Sequence, residues 1–300
     1  MESELENLLN VSVKKLNKSV YGGCINSGSV YQTENNKILF VKENSKPGSD
    51  KMFHGEFEGL KAISNTNTVQ VPNPIATSCT SSGQQFIVME YLNMTSLDAK
   101  CSSKLGSQLA DMHLFNLQER SSINQFGFHV ETCCGFIPQK NTWTDDWITF
   151  FVENRLEYQI QLLQSSSEYS LNNKNVIESH WTRLKKVIPK FFDGIEVKPS
   201  LVHGDLWSGN VAQSNLKPVI FDPAIFYGHH EYDIASTMLF GGYSKDFYDA
   251  YFKKIPKANG FDNRMLLYNL FHYLNHWNHF GSGYINSTMN TFEKLLRIIK

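Results

Sequence analysis

Hydrophobic positions along the chain divide it into a strand-rich beginning and a helix-rich remainder. Between residues 19 and 44, short apolar runs separated by polar turns predict a β-meander that ends in "KILFVKEN". Apolar residues then recur at helical spacing in "DKMFHGEFEGLKAIS", and "FIVMEYL" at 86–92 predicts another strand. Together these elements predict a small α+β lobe.

After residue 93 the pattern becomes mainly helical. Helical spacing of apolar residues occurs in "LGSQLADMHLF", "DDWITFFVENRLEYQIQLL" and "NVIESHWTRLKKVIPKFF". Two short strands, Leu201-Val202 and "PVIFDP" at 218–223, flank the loop "HGDLWSGN" and are expected to pair as a hairpin. We therefore expect an α+β fold of two lobes, a β-rich lobe with one key helix (1–93) and a larger helical lobe (94–300).

Composition narrows the class of protein. The 300 residues are 41% hydrophobic and 19% charged, which is ordinary for a globular protein, and the net charge of −1 argues against a nucleic-acid partner. The acidic start "MESELENLLNVSVKK" lacks the apolar core of a signal peptide, so a cytoplasmic protein without membrane spans is expected. Five cysteines, two of them adjacent, indicate free thiols rather than a disulfide framework or zinc site.

The loop "HGDLWSGN" carries the clearest candidate chemistry. Transfer of the terminal phosphoryl group of ATP needs a carboxylate that takes the hydroxyl proton and oxygen ligands that hold Mg²⁺. Asp205 and Asn210 have the D-x-x-x-x-N spacing of such a base and metal ligand, and Asp222 after the next strand supplies a second oxygen ligand. We therefore expect a kinase site with ATP and Mg²⁺ as cofactors.

The first lobe contains candidate residues for binding the phosphates of ATP. Lys42 ends an apolar strand where it can reach the phosphates, and Glu56 lies on the following helix where it can fix that ammonium. Gly22, Gly23 and Gly28 lie in a strand-turn-strand segment that lets backbone N–H groups approach phosphates. Taken singly, each residue has an ordinary structural explanation. The glycines can be turn residues, Lys42 can lie at an exposed strand edge, and Glu56 can lie on a solvated helix face. The order of these residues along the chain, each on a suitable predicted strand, turn or helix, favours a nucleotide-binding site.

Longer motifs resemble a known family. "HGDLWSGN" followed by "VIFDPA" resembles the aminoglycoside phosphotransferase and choline kinase group. "GFIPQKNTWTDDWITFFVENRL", "DPAIFYGHHEYDIASTMLFGGY" and "LNHWNHFGSGY" resemble the fructosamine kinase, or ketosamine-3-kinase, family, and the resemblance runs from about residue 20 to 285. It implies a bilobal protein-kinase-like fold and ATP-dependent phosphorylation of the sugar 3-hydroxyl of ketosamines, small or protein-borne, which leads to deglycation.

The resemblance also implies residue roles. It makes Asp205 the catalytic base, Asn210 and Asp222 the metal ligands, and Lys42 with Glu56 the phosphate-positioning pair. It places the adenine beside the hinge "MEYL" and the phosphates beside the glycine-containing turn; the implied nucleotide contacts are Met89, Glu90, Tyr91, Leu92, Gly22, Gly23, Cys24 and Ile25. Oxidation of Cys24 in that turn is a hypothesis for redox control, and an inert small residue is the alternative.

Substrate contacts have competing interpretations. Trp207 can stack on the sugar or its protonated amine, or simply pack against the lobe. Glu231 is a candidate for attracting that amine, whereas Asp233 is expected to cap a helix or brace the catalytic loop. His279 is a further substrate candidate, and we interpret its spacing with His272 and His276 as a packed helix face rather than a zinc site.

Three functions stay open at this point. A ketosamine kinase is favoured over a kinase of the same fold for another alcohol, such as an aminoglycoside or a choline-like substrate. A nucleotide-binding pseudokinase scaffold is disfavoured because the chain keeps Lys42, Glu56, Asp205, Asn210 and Asp222 together. The preferred sugar is open, as is the choice between a monomer and a homodimer.

Overall fold

The first lobe is built on a five-stranded antiparallel sheet. The structure, a computed structural model, describes residues 1–18, 26–118, 123–167 and 171–298. The strands are β1 (Val13–Leu16), β2 (Ser27–Thr33), β3 (Ile38–Asn44), β4 (Pro74–Cys79) and β5 (Gln85–Glu90). Their order in the sheet is β1-β2-β3-β5-β4.

Two helices cover opposite faces of this sheet. In β5, Phe86 and Val88 belong to the small core under α1 (Glu2–Leu9), whereas Ile87 and Met89 belong to the main core shared with α2 (Ser49–Asn65). This alternation follows from the two-residue period of a strand. The strands at 38–44 and 86–90 and helix α2 confirm the prediction, whereas α1 was not predicted.

The second part of the chain is mainly helical. Its helices are α3 (Ala99–Gln118), α4 (Trp147–Phe151), α5 (Tyr158–Ser165), α6 (Leu171–Lys185), α7 (Glu231–Phe240), α8 (Lys245–Lys254), α9 (Phe261–Phe280) and α10 (Ile285–Ile298). A π-helical segment at 152–157 joins α4 to α5, so the long helix predicted there is continuous. In contrast, α6 ends four residues before Pro189, and a 3-10 turn follows it.

Short strands carry the loops between these helices, and one pairing differs from the prediction. They are β6 (Thr132–Cys134), β7 (Ile137–Gln139), β8 (Ser200–Val202), β9 (Val211–Ser214), β10 (Lys217–Ile220) and β11 (Phe226–Gly228). The predicted hairpin between 201–202 and 218–223 is wrong, because β8 pairs with β11 and β10 pairs with β9. Asn215 and Leu216, both at positive φ, close the β9–β10 hairpin with a tight turn.

Two glycines allow α2 to lie directly against the second lobe. A Cβ added at Gly55 would lie 2.7 Å from the carbonyl oxygen of Glu131, and one at Gly59 would lie 2.9 Å from Cγ2 of Ile225. Neither contact leaves room for a larger residue. The helix that carries Glu56 therefore packs its glycine-containing face against the segments that surround the loop "HGDLWSGN".

Within the described ranges, no helix is both long and apolar enough to cross a bilayer.

Candidate active site

His203 orders the backbone of the catalytic loop. One ring nitrogen, Nε2, lies 2.9 Å from the carbonyl oxygen of Phe221, to which it donates, and Nδ1 accepts from the Asp205 N–H at 3.3 Å. Burial lowers the pKa of His203, so the ring is neutral and its two nitrogens serve opposite roles. These contacts fix the backbone of the loop between His203 and Asp205 and tie it to Phe221.

Asp233 braces the same loop from the first turn of α7. Its carboxylate accepts from the His203 N–H at 2.7 Å and from the Gly204 N–H at 2.9 Å. On the far side, the carboxylate contacts His113 Nε2 at 3.1 Å, and His113 Nδ1 lies 2.8 Å from the Tyr251 hydroxyl. The predicted brace is confirmed, and His113 is a supporting residue that the sequence reading missed.

Removing this brace should lower catalysis more than it unfolds the protein. We expect Asp233→Ala to lower kcat by about 10- to 100-fold, because two buried N–H donors lose their acceptor and the loop shifts. Steady-state kinetics and thermal melting would measure both effects. Asp249→Ala, which removes an exposed partner of Lys245, is the matched control and should change neither. Equal kcat values in the two variants would contradict the brace.

Asp205 and Asn210 meet within the loop. Asn210 Nδ2 donates to the Asp205 backbone oxygen at 2.8 Å and to its Oδ2 at 3.2 Å. Burial and the negative charge of Asp222 raise the pKa of Asp205 to about 7. A carboxyl group with this pKa is suited to accept a proton near neutral pH.

Lys42 joins the two lobes electrostatically. Its Nζ lies 2.6 Å from Glu56 Oε1 and also contacts the Asp222 carboxylate. Burial alone would lower the pKa of Lys42, but the charges of Asp222 and Glu56 raise it, so the ammonium stays protonated. Asp222 has φ 56°, a left-handed conformation that is uncommon for a non-glycine residue and concentrates at functional sites.

The hinge segment "MEYL" begins in the last two residues of β5 and continues beyond the strand. Met89 is buried and Glu90 is exposed, while the Tyr91 N–H donates to the Ile38 carbonyl oxygen at 3.2 Å. Leu92 packs against a small cluster in the second lobe made of Ala212, Val219 and Phe221. The segment thus passes beside the strand that leads to Asp222.

Four residues of the expected phosphate-binding turn, Gly22, Gly23, Cys24 and Ile25, lie outside the described residues. Gly28 is described, and its Cα is the cross-strand partner of Lys42. The β2 strand therefore continues next to the lysine that was predicted to reach the phosphates.

The three substrate candidates have different surroundings. Trp207 is 39% exposed, and its ring lies over Gly209, where an added Cβ would come within 2.1 Å of it. Glu231 is buried, and its carboxylate binds Arg264 at 2.7 and 2.8 Å. That pairing occupies both oxygens and argues against Glu231 as a substrate contact.

His279 holds the turn of the β6–β7 hairpin. Its Nε2 accepts from the Phe136 N–H at 2.9 Å, and Nδ1 lies 2.8 Å from the Asn275 carbonyl oxygen. Both nitrogens are therefore used within the protein. The neighbouring Cys134 thiol has a raised pKa, chiefly from burial and then from the negative charge of Asp205.

Sequence comparison identifies relatives over nearly the whole chain. A profile of the family "Fructosamine kinase" matches residues 3–298. Ketosamine-3-kinase from Mus musculus is 43% identical, with 98% of this chain and 99% of that protein covered. The chloroplastic protein-ribulosamine 3-kinase from Arabidopsis thaliana is 41% identical, with 94% of this chain and 83% of that protein covered.

Solved structures share the fold. A Haemophilus somnus protein assigned as a fructosamine-3-kinase superposes with a TM-score of 0.82 at 24% identity, covering 98% of this chain and 96% of that one. A thermostable aminoglycoside phosphotransferase, in a ternary complex with ADP and hygromycin B, gives a TM-score of 0.63 at 15% identity, covering 99% of this chain and 98% of that one. At these identities the likeness concerns the fold alone. The profile and the full-length relatives show that the chain belongs to the fructosamine kinase family.

Proposed function

We propose that this protein is an ATP-dependent kinase that phosphorylates the sugar 3-hydroxyl of ketosamines. The proposal rests on one observation. In a chain 43% identical to a ketosamine-3-kinase, three charged residues lie together beside the pair Asp205 and Asn210; they are Lys42, Glu56 and Asp222. Phosphorylation at this position leads to loss of the sugar, so the proposed role is deglycation.

Asp205 is the proposed general base. The substrate hydroxyl oxygen forms a bond to the γ-phosphorus, the bond from that phosphorus to the β–γ bridging oxygen breaks, and ADP leaves. The hydroxyl proton goes to the Asp205 carboxylate, whose pKa of about 7 matches this task. Lys42, held by Glu56, would neutralise the α- and β-phosphates.

The donor set also fits a magnesium ion. Asp222 and Asn210 offer a carboxylate and an amide oxygen, the hard ligands that Mg²⁺ accepts. Burial and then the negative charge of Asp222 raise the pKa of Asp205, and a nearby divalent cation would relieve the repulsion between the two carboxylates. When bound, the ion would neutralise charge on the phosphates during transfer.

The two lobes would have different roles in binding and catalysis. We propose that residues 1–93 bind the nucleotide, with Met89, Glu90, Tyr91 and Leu92 beside the adenine, and that residues 94–300 bind the substrate and carry the base. Trp207 is the proposed substrate stacking residue, because its ring is exposed two positions after Asp205. A cytoplasmic location stays a prediction, since the Arabidopsis relative is chloroplastic.

ATP turnover with defined acceptors tests this function. The purified protein with Mg²⁺ would be assayed on ribulosyl-lysine, fructosyl-lysine and an aminoglycoside, and the phosphate position would be read by NMR. We expect phosphorylation at O3 of at least one lysine adduct and none of the aminoglycoside. Turnover of the aminoglycoside alone would favour the other-alcohol kinase, and ATP binding without turnover would favour the scaffold.

A further inference from the structure

The indole ring of Trp207 lies against the backbone of the catalytic loop. A Cβ added at Gly209 would come within 2.1, 2.3 and 2.4 Å of three carbons of its six-membered ring. The side chain is nevertheless 39% exposed. The loop therefore covers one side of the ring and leaves the other side accessible to a ligand.

The main chain on either side of Trp207 is held by the turn that follows α7. Tyr243 donates from its hydroxyl to the Leu206 carbonyl oxygen at 3.4 Å. A Cβ added at Gly242 would lie 2.5 Å from Cβ and 2.8 Å from Oγ of Ser208, so the two residues are in close contact. Leu206 and Ser208 are the chain neighbours of Trp207. The turn thus contacts the residue before the ring and the residue after it.

This turn is itself anchored in the helical lobe. The ring of Tyr243 lies 4.6 Å from that of Phe247 on α8, measured between centroids. Ser244 accepts from the Phe247 N–H as the N-cap of α8, and its hydroxyl lies 2.9 Å from that of Ser102 on α3. A Cβ added at Gly106 of α3 would lie 2.1 Å from the Phe247 carbonyl oxygen, so the two helices are closely packed. The turn is therefore a fixed support for the loop.

Two adjacent glycines in the turn have different surroundings. Gly241 and Gly242 both have a left-handed backbone, with φ 67° and 86°. A Cβ added at Gly241 would meet no atom within 4 Å, whereas one at Gly242 would meet Ser208. Glycine at 241 is thus favoured by the backbone alone, and glycine at 242 is favoured by the backbone and by the contact with the loop.

We propose that Gly242 and Tyr243 are positioning residues, which hold Trp207 in place as a stacking surface and thereby set the affinity for the acceptor. The proposal rests on the proposed function and deepens it. The face of an indole ring attracts a cation within about 6 Å, so the protonated amine of a ketosamine is a suitable ligand for the exposed side. A displaced ring would weaken acceptor binding and leave the Lys42 contacts with Glu56 and Asp222 intact.

Alanine at the two glycines separates the contact from backbone strain. Gly241→Ala and Gly242→Ala both place a side chain at positive φ, but only the second meets Ser208. In steady-state kinetics we expect Gly242→Ala to raise KM for the lysine adduct about tenfold, the size of one desolvated cation–π contact, and to leave KM for ATP unchanged. Gly241→Ala is the matched control and should keep both wild-type KM values.

Two changes at Ser208 test the same contact from the opposite side. Ser208→Gly removes the Cβ and Oγ that the new methyl group would meet. The double variant with Gly242→Ala should therefore return KM for the adduct to the value of Ser208→Gly alone. Ser208→Val enlarges the contact without altering a residue at positive φ, so it should raise the same KM even if Gly242→Ala folds poorly.

The ring provides a measurement that does not depend on turnover. Trp207 is the most exposed tryptophan of the described residues, so quenching of fluorescence by acrylamide reports mainly on this side chain. Displacing the ring from Gly209 exposes its covered side. We expect stronger quenching in Gly242→Ala and Ser208→Val, and wild-type quenching in Gly241→Ala.

Several results would overturn the proposal. Equal KM values for the adduct in the two alanine variants, or a double variant without recovery, would show that the contact with Ser208 does not set acceptor affinity. A parallel rise in KM for ATP would mean that Gly242 supports the whole loop and not the ring. Unchanged quenching in Gly242→Ala and Ser208→Val would show that the turn does not hold Trp207. Wild-type protein that turns over no lysine adduct would refute the proposed function, whereas the quenching series would still show whether the turn holds the ring.

Discussion

Replacing Asp205 with Asn is expected to lower kcat for ketosamine phosphorylation by about 10²- to 10⁴-fold, the usual contribution of a general base. Asn has nearly the same shape as Asp and can still contact Asn210, but it cannot take the hydroxyl proton. Nucleotide binding should persist, because Lys42, Glu56 and Asp222 are untouched. Steady-state kinetics and calorimetric titration with the nucleotide would measure the two effects separately.

Stability distinguishes lost chemistry from lost structure in this variant. The pKa of Asp205 is raised from 3.8 to about 7 in the folded protein. A carboxyl with a raised folded-state pKa stabilises the fold when protonated, and this contribution is lost progressively as the pH rises from about 3.8 through 7. Asn avoids the buried charge, so at pH 8 the metal-free variant should melt no lower than wild type. Near-normal kcat in a stable variant would remove Asp205 as the base.

The parts of the site that could be predicted are those set by short stretches of chain. Asp205 and Asn210 are close in sequence, so one loop brings them together. Lys42 and Glu56 lie on a strand and the helix that follows it, and the usual packing of that helix on the sheet makes them neighbours. Apolar periodicity predicts the helix that carries Glu56, and a compact apolar run predicts the strand that carries Lys42, whose two faces are both covered.

The missed contacts join residues far apart in the chain. Glu231, a substrate candidate from the sequence, forms an ion pair with Arg264 in the structure. Asp233 likewise contacts His113, which is distant in the chain. Neither partner is implied by local spacing, because α3, α7 and α9 meet only in the folded lobe. The β8–β11 pairing was missed for a related reason: the tight turn at Asn215 pairs β9 with β10, and β8 pairs with a strand further along the chain.

Replacing Lys42 with Met is expected to lower both activity and stability. Activity should fall by about 10²- to 10³-fold, because a preorganised charge facing the phosphates is lost. The free energy of unfolding should fall by about 3–5 kcal/mol, because Glu56 and Asp222 lose the cation between them and Glu56 is buried. Steady-state kinetics and denaturant unfolding would measure the two losses.

Two further variants separate the causes of these losses. Lys51→Met removes an ion pair with Glu131 that joins the same two lobes but is about half exposed, so it should change stability by less than about 1 kcal/mol and leave kcat unchanged. Adding Glu56→Leu to Lys42→Met removes the buried carboxylate that has lost its cation. Much of the stability should therefore return while the activity stays low. Recovery of activity together with stability would mean that Lys42 supports the fold and does not act on the phosphates.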